Sequence, residues 1–499
     1  MRKETFSDAE QTRLEALLAH LERLLPEVGQ RAAFRRAALE APPPTLRLNP
    51  LRQQPRALGE WLRQHAEAVP WCNQAFVLAD SEQRLGRTLE HALGAFYLQA
   101  KAPSLAVEVL DPQPGERVLD LAAAPGGKAT QIAARLGNSG LLVANEPAGS
   151  RLPALVGNLE RCAVGNAVLS KAPGGLLARY FHNYFDRVLL DAPCSGDGVL
   201  CKDTRMLDYW SPEEAGHKAQ QQKGLLRAAF HMLRPGGVLV YSTCSLSLVE
   251  NEEVLSALLR RHGTHIEVLP VEGLVPAPLP PDLAARYPAA FARMGRVWPH
   301  LQRTEGAFVA KLRKGEATAW EVVEGDALEW EEAGDEAQAM AVRAALEERW
   351  GFELTLPEGQ GLVLEGRHLA AEPRAAAGMR AHFPYFVRAG LHLARRQKEH
   401  YYLSQGMVAL WGERMQGRRV RLEWPQVQTL FRGEVLVLDP PVAERGEVLC
   451  SFGEWTVCWG LIEEQGHRLR GMVPKWARKP NLERLLCIAA RDNFGGDSR

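Results

Sequence analysis

Between residues 7 and 40 the side chains Leu14, Leu17, Leu18, Leu21, Leu24 and Leu25 recur at intervals that line one helix face, until Pro42-Pro43-Pro44 ends the pattern. Leu46-Arg47-Leu48-Asn49 predicts a short strand, followed by a second helical stretch. From residue 114 the period changes. Short apolar runs now alternate with helical segments: Arg117-Val118-Leu119-Asp120, Leu141-Leu142-Val143-Ala144, Ala167-Val168-Leu169, Arg187-Val188-Leu189-Leu190 and Val238-Leu239-Val240-Tyr241. Each run is followed by a Gly, Pro or acidic break, which predicts an α/β unit: a parallel sheet with helices on both faces. Ala307-Phe308-Val309-Ala310-Lys311-Leu312 supplies a late strand that closes it.

After Lys314 the composition shifts. Nine acids and no base stand between Glu316 and Glu336, the mark of a solvated linker. Beyond it the chain is strand-like, punctuated by Gly and Pro. The expected division is an N-terminal α+β extension (1–110), an α/β domain (111–314), an acidic linker (315–345) and a β-rich C-terminal region (346–499).

The whole chain of 499 residues is 46% hydrophobic, which excludes wholesale disorder. Its 60 acids and 60 Lys+Arg cancel, so a polyanionic partner must be met by local basic patches. No apolar run reaches the ~18 residues of a spanning helix, so no membrane partner is expected. Met1-Arg2-Lys3-Glu4-Thr5 leads into a charged amphipathic pattern, and no secretory leader is expected. Eight irregularly spaced cysteines do not make a disulfide framework, so free thiols, a reducing cytoplasmic setting and a monomer are expected.

The turn after the first strand of the α/β unit carries Asp120-Leu121-Ala122-Ala123-Ala124-Pro125-Gly126-Gly127-Lys128-Ala129-Thr130. In such sheets ligands bind at the carboxyl ends of the strands, and the first strand-to-helix turn is the usual cradle. A Walker A loop needs Gly six positions before Lys and Ser or Thr after it; here Ala122 and Ala129 stand there. The dinucleotide fingerprint is absent too. S-adenosylmethionine, less anionic and tolerant of small residues, remains. Glu146, at the next strand end, suits the ribose hydroxyls. On these residues alone a tight connection reads equally well.

Two more strand ends carry cysteine: Asp191-Ala192-Pro193-Cys194-Ser195-Gly196 and Ser242-Thr243-Cys244-Ser245-Leu246. Most lone cysteines are small buried hydrophobes, but these two sit where a strand opens into a loop, among Pro, Ser and Thr. Beside a methyl donor, a thiolate adding to carbon 6 of cytosine makes carbon 5 nucleophilic enough to take the methyl group. Asp191 is placed to stabilise charge at ring nitrogen 3, provided it carries or shares a proton.

Taken together, the Ala-Ala-Pro-Gly-Gly-Lys, Asp-Ala-Pro-Cys-Ser-Gly and Ser-Thr-Cys-Ser motifs resemble the Sun-type RNA cytosine-5 methyltransferases, nearest their bacterial RsmF-like 16S ribosomal RNA branch. The resemblance runs from about Leu46 to Leu312 and takes in Gly94-Ala95-Phe96-Tyr97-Leu98-Gln99 and Pro299-His300. It implies a Rossmann-like, S-adenosylmethionine-dependent domain with Cys244 as nucleophile and Cys194 assisting product release. Ala122, Ala123, Ala124, Pro125, Gly126, Gly127, Lys128, Glu146 and Asp191 would line the cofactor pocket, and no metal is implied. The family often carries an acid near the adenine after the third strand, where this chain has Val168-Leu169-Ser170-Lys171. DNA cytosine-5 methyltransferases use a Pro-Cys cysteine, which here would make Cys194 the nucleophile. Two other readings stay open: tRNA as substrate, and a non-catalytic RNA-binding assembly factor.

A cytosine must be single-stranded or flipped to meet a thiol, at a cost of a few kcal/mol that backbone contacts offset. Residues 388–421 hold Arg388, Arg395, Arg396, Lys398, Arg414, Arg418, Arg419 and Arg421 against two acids. Residues 466–484 hold Arg468, Arg470, Lys475, Arg478, Lys479 and Arg484 against one. Tyr401, Tyr402, Trp411 and Trp476 lie among them as stacking candidates. The resemblance implies a PUA-like RNA-binding module here, with 16S rRNA or the small subunit as partner. Removing it near residue 375 is expected to weaken RNA binding and spare cofactor binding.

Overall fold

The computed structural model describes residues 6–483 apart from 26, 53–55, 79–83, 273, 275–284, 286–288, 317–336, 443 and 464–465. Most of the acidic stretch, Arg484 and Cys487 lie outside the described residues.

A nine-stranded sheet forms the centre. Its strands are β1 (Arg117–Asp120), β2 (Leu141–Asn145), β3 (Ala167–Ser170), β4 (Phe185–Asp191), β5 (Leu233–Thr243), β6 (Ile266–Leu269), β7 (Gly295–Val297), β8 (Ala307–Lys314) and β9 (Phe386–Ala389). The order is β6-β8-β5-β4-β1-β2-β3-β9, with β7 paired to β8. Strands β1 to β5 pair in parallel. The late strand β8 runs antiparallel to β5. All five apolar runs become strands because both faces are covered: Leu119, Val143, Val188 and Leu239 enter one core, while Val118, Leu142, Leu189 and Val240 enter the other.

The N-terminal helical pattern is two helices, Asp8–Glu22 and Val28–Leu39. The first is opened by a reciprocal cap between Ser7 and Glu10. A four-stranded sheet then holds Thr45–Leu48 and Phe96–Leu98 side by side, so the extension is α+β. Buried Arg47 reaches out of it to Gln99 Oε1 (3.0 Å), Gly127 O (3.0 Å) and Thr130 Oγ1 (2.9 Å), holding the turn after β1 from behind.

The C-terminal part contains a four-stranded sheet and a curled five-stranded one, as its β-rich pattern predicts. Two details move the expected boundaries. The helix Ala337–Trp350 begins inside the stretch read as linker, because Ala339, Leu346 and Trp350 give it a buried side. Strand β9, well inside the C-terminal region, pairs with β3 at the edge of the central sheet. Ala376, Met379 and Phe383 just before it enter the central core. The curled sheet also shares a core with the extension, where Leu46, Leu89 and Phe96 meet Leu430, Phe431 and Val457.

Candidate active site

The turn after β1 is bounded by Gly126, whose φ of +108° is left-handed and favours glycine. A Cβ at Gly127 would stand 3.3 Å from the Tyr97 ring, so this Gly-Gly pair serves close packing as well as ligand approach. Gly127–Arg135 forms a helix whose first turn faces the strand ends. Glu146, buried after β2, accepts Ala148 N–H at 2.9 Å on one oxygen; the other lies 3.3 Å from Arg151, without hydrogen-bond geometry. Ser170, where the acid is missing, is wholly buried and donates to Asn145 Oδ1 at 2.9 Å.

Asp191, a third exposed at the end of β4, accepts Lys128 Nζ at 2.6 Å on one oxygen and Ser242 Oγ at 2.8 Å on the other. Both oxygens are therefore acceptors. Among the described residues, the only charged donor on this carboxyl group is the Lys128 ammonium. Asp120, at the end of β1, is 1% exposed, and neither carboxyl oxygen meets a hydrogen-bond partner of ordinary geometry. Burial and the nearby Asp191 push it up to about 7, against the pull of Lys128 and the Ala122 backbone. An unsatisfied buried carboxyl beside a small-residue turn fits a cationic ligand group, such as the amino end of S-adenosylmethionine. The sequence showed Asp120 at a strand end, but nothing in its spacing marked it as unsatisfied.

Cys194 and Cys244 stand together. Their sulfurs are 2.8 Å apart, a thiol contact rather than a bond, and both side chains are half-buried. Hydrogen bonding to Cys244 and burial push the Cys194 thiol well up, so Cys194 keeps the shared proton. Lys128 interacts electrostatically with Cys244. The loops carrying the two sulfurs are joined by Gly198 N–H donating to Cys244 O at 3.0 Å. The five other described cysteines are all buried, and burial pushes Cys72 up to about 12, which makes it inert.

The N-terminal helices pack onto these loops: Leu14, Leu17, Leu18 and Phe34 share a cluster with Leu200, Met206, Leu207, Trp210 and Leu246. Next to Trp210, Tyr209 is 61% exposed, the one largely exposed aromatic residue among the described residues. Desolvation and the charges of Asp203, Cys244 and Cys194 push its hydroxyl up.

Of the first basic cluster, Arg395, Arg396, Lys398, Arg414 and Arg421 are exposed. Arg388 instead pairs with Glu160, while Arg418 and Arg419 bind backbone carbonyls. In the second, Lys475 is exposed and Arg470 pairs with Glu463. The expected stacking aromatics are less available than their spacing suggested. Trp411 is buried in the core, and Tyr402 stacks on Trp459 with centroids 5.5 Å apart. No helix among the described residues is long and apolar enough to cross a membrane, and no group of His, Cys, Asp and Glu among them could hold a metal.

Comparison with known proteins agrees with this architecture. The profile of 16S rRNA methyltransferase RsmB/F matches residues 107–313, and that of the N-terminal domain of 16S rRNA methyltransferase RsmF matches residues 15–101. Ribosomal RNA small subunit methyltransferase F of Aliivibrio fischeri is 30% identical over 475 residues, covering 92% of this chain and 96% of that relative. The Klebsiella pneumoniae protein of the same name is 44% identical over 254 residues, covering 49% of this chain and 51% of that one. Among solved structures, a methyltransferase homolog protein from Pyrococcus horikoshii superposes with a TM-score of 0.54 at 29% identity, covering 62% of this chain and 100% of its own. A relative matched over nearly its full length, with both profiles placed where the extension and the central sheet lie, puts the chain in the ribosomal RNA small subunit methyltransferase F family, S-adenosylmethionine-dependent methyltransferases.

Proposed function

We propose that this chain methylates carbon 5 of a cytosine in 16S ribosomal RNA through a transient bond between Cys244 and carbon 6 of the ring. The observation that carries the reading is the pair of touching sulfurs at the sheet edge that also bears Lys128, Asp191 and the small-residue turn. S-adenosylmethionine supplies an electrophilic methyl group when bound. Ala122, Ala123, Ala124, Pro125, Gly126, Gly127 and Lys128 form its wall, Asp120 faces its cationic end, and Glu146 faces its ribose.

Cys244, as thiolate, donates an electron pair to carbon 6, and the ring becomes an enamine with the Lys128–Asp191 pair countering charge at nitrogen 3. Carbon 5 would then take the methyl group, the donor's sulfur–methyl bond breaking with its electron pair left on the sulfur as a neutral thioether. Loss of the carbon 5 proton to water restores the ring double bond as the sulfur–carbon 6 bond breaks and the electrons return to Cys244. Cys194 S–H hydrogen-bonds the departing thiolate, which gives it its part in release. The exposed arginines of the C-terminal sheets bind phosphates, and ribosomal RNA is favoured over tRNA by the names of the relatives. The seven described cysteines are all unbridged, which supports a reducing, cytoplasmic setting.

RNA carrying 5-fluorocytosine tests the assignment, since fluorine cannot leave carbon 5 as a proton does. The wild type should form an adduct that survives denaturing electrophoresis, and Cys244→Ala should form none. Loss of the adduct in Cys194→Ala alone would reverse the roles of the two thiols.

A further inference from the structure

Two carboxylates below the sulfurs have no place in the chemistry above. Glu250, two turns of chain after Cys244, is wholly buried and accepts Ser195 N–H at 2.8 Å, Ser195 Oγ at 2.5 Å and Gln222 Nε2 at 3.0 Å. Asp197, just after Cys194, is 2% exposed and accepts Leu246 N–H at 2.6 Å and Ser245 Oγ at 2.9 Å. The two arms cross. A carboxylate from the Cys244 segment grips the residue after Cys194, and a carboxylate from the Cys194 segment grips the two residues after Cys244.

Neither carboxylate forms an ion pair with a cation among the described residues, so each is retained at a desolvation cost that an apolar tie would avoid. Such a cost is consistent with a demand for geometry. With Cys194 one residue from a gripped backbone N–H and Cys244 two residues from another, a small slip of either loop breaks the 2.8 Å contact between the sulfurs. The electrostatics are lopsided in the same sense. Glu250 acts on Cys194, favouring its protonated form, while Lys128 acts on Cys244.

We propose that Glu250 and Asp197 are positioning residues that assign the two sulfurs their separate tasks, Glu250 holding Cys194 for product release and Asp197 holding Cys244 for attack. This rests on the reading of Cys244 as nucleophile and Cys194 as the release thiol. It gives the two carboxylates opposite phenotypes, which a shared role in stability alone would not.

The experiment mixes full-length protein with unmodified substrate RNA and S-adenosylmethionine, and follows covalent protein–RNA complex on denaturing gels beside methyl incorporation. Cys194→Ala and Cys244→Ala are the references. Glu250→Gln should behave as Cys194→Ala: the complex accumulates at least tenfold above wild type while turnover falls. Asp197→Asn should behave as Cys244→Ala, with at least a tenfold loss of complex. Cofactor binding by calorimetry confirms folding; should Glu250→Gln not fold, Ser195→Ala, which deletes only one contact to Glu250, takes its place. Accumulation in Cys194→Ala without accumulation in Glu250→Gln, or the same direction of change in both carboxylate variants, overturns the clamp and leaves the thiol assignment standing. No accumulation in Cys194→Ala overturns the thiol assignment, and the clamp with it.

Discussion

Lys128 Nζ lies 2.6 Å from Asp191 Oδ2, a bond that ties the turn after β1 to the end of β4, where the loop bearing Cys194 begins. The ammonium also acts on Cys244, so one cation serves the turn after β1, the Asp191 carboxylate and the Cys244 sulfur. Lys128→Met should lower methyl transfer by about 10²-fold, the scale of a lost proton-bearing group. It should also slow alkylation of Cys244 by iodoacetamide, because the sulfur loses a cation that acts on it. An alkylation profile identical to wild type would show that Lys128 does not act on the sulfur.

Asp120 makes the fold sensitive to pH. Its carboxyl is held at about 7 in the folded chain against an ordinary 3.8. Folding therefore takes up a proton between these values, and the contribution is full below about pH 4 and lost as pH rises through 7. Asp191 and Glu146 add to the upward push and Lys128 opposes it. Asp120→Asn removes this dependence while Asp197, also pushed up to about 7, stays in both proteins. Urea unfolding should show the variant gaining on wild type from pH 5 to pH 8, by roughly 2.5 kcal/mol, while its affinity for S-adenosylmethionine falls. A stability difference that does not change with pH would place Asp120 in its ordinary ionised state.

Tyr209 offers an exposed ring in the segment that follows Cys194, and under the proposed reaction a base next to the target cytosine can stack on it. At ~1–3 kcal/mol per stacked base, Tyr209→Leu should raise KM for RNA about tenfold with kcat within about twofold. Tyr209→Phe, which keeps the ring, should match wild type. Steady-state kinetics on one RNA separates the two.

Truncation at residue 375 would delete β9 and the Met379 and Phe383 side chains from the central core. The shortened chain should lose cofactor binding together with RNA binding, measured by calorimetry. Retention of S-adenosylmethionine affinity would restore the picture of a detachable C-terminal module.

The apolar runs made the central sheet readable, because a strand covered on both faces must be apolar throughout, as Val118-Leu119 and Val188-Leu189 are. The three motifs led to the sulfurs and the cofactor turn for a similar reason: each lies within one strand end. What stayed hidden depends on distance in sequence. Lys128 and Asp191 are 63 positions apart, and Phe386 reaches Ser170 across 216. Trp411 and Tyr402 looked like stacking residues because composition does not tell which aromatic faces inward, whereas Tyr209 had no basic neighbourhood to draw attention to it.

Strand β9 has a consequence for substrate choice. Hydrogen-bonded to β3 and followed at once by the strand that carries Arg395 and Arg396, it joins that exposed basic surface to the central sheet without a tether. The molecule is thus a caliper of fixed span. If the proposed function holds, an RNA gripped at one jaw would offer the other only those nucleotides that its own fold holds at that span, and the shape of the RNA, more than the letters around the target, would select the base that is marked.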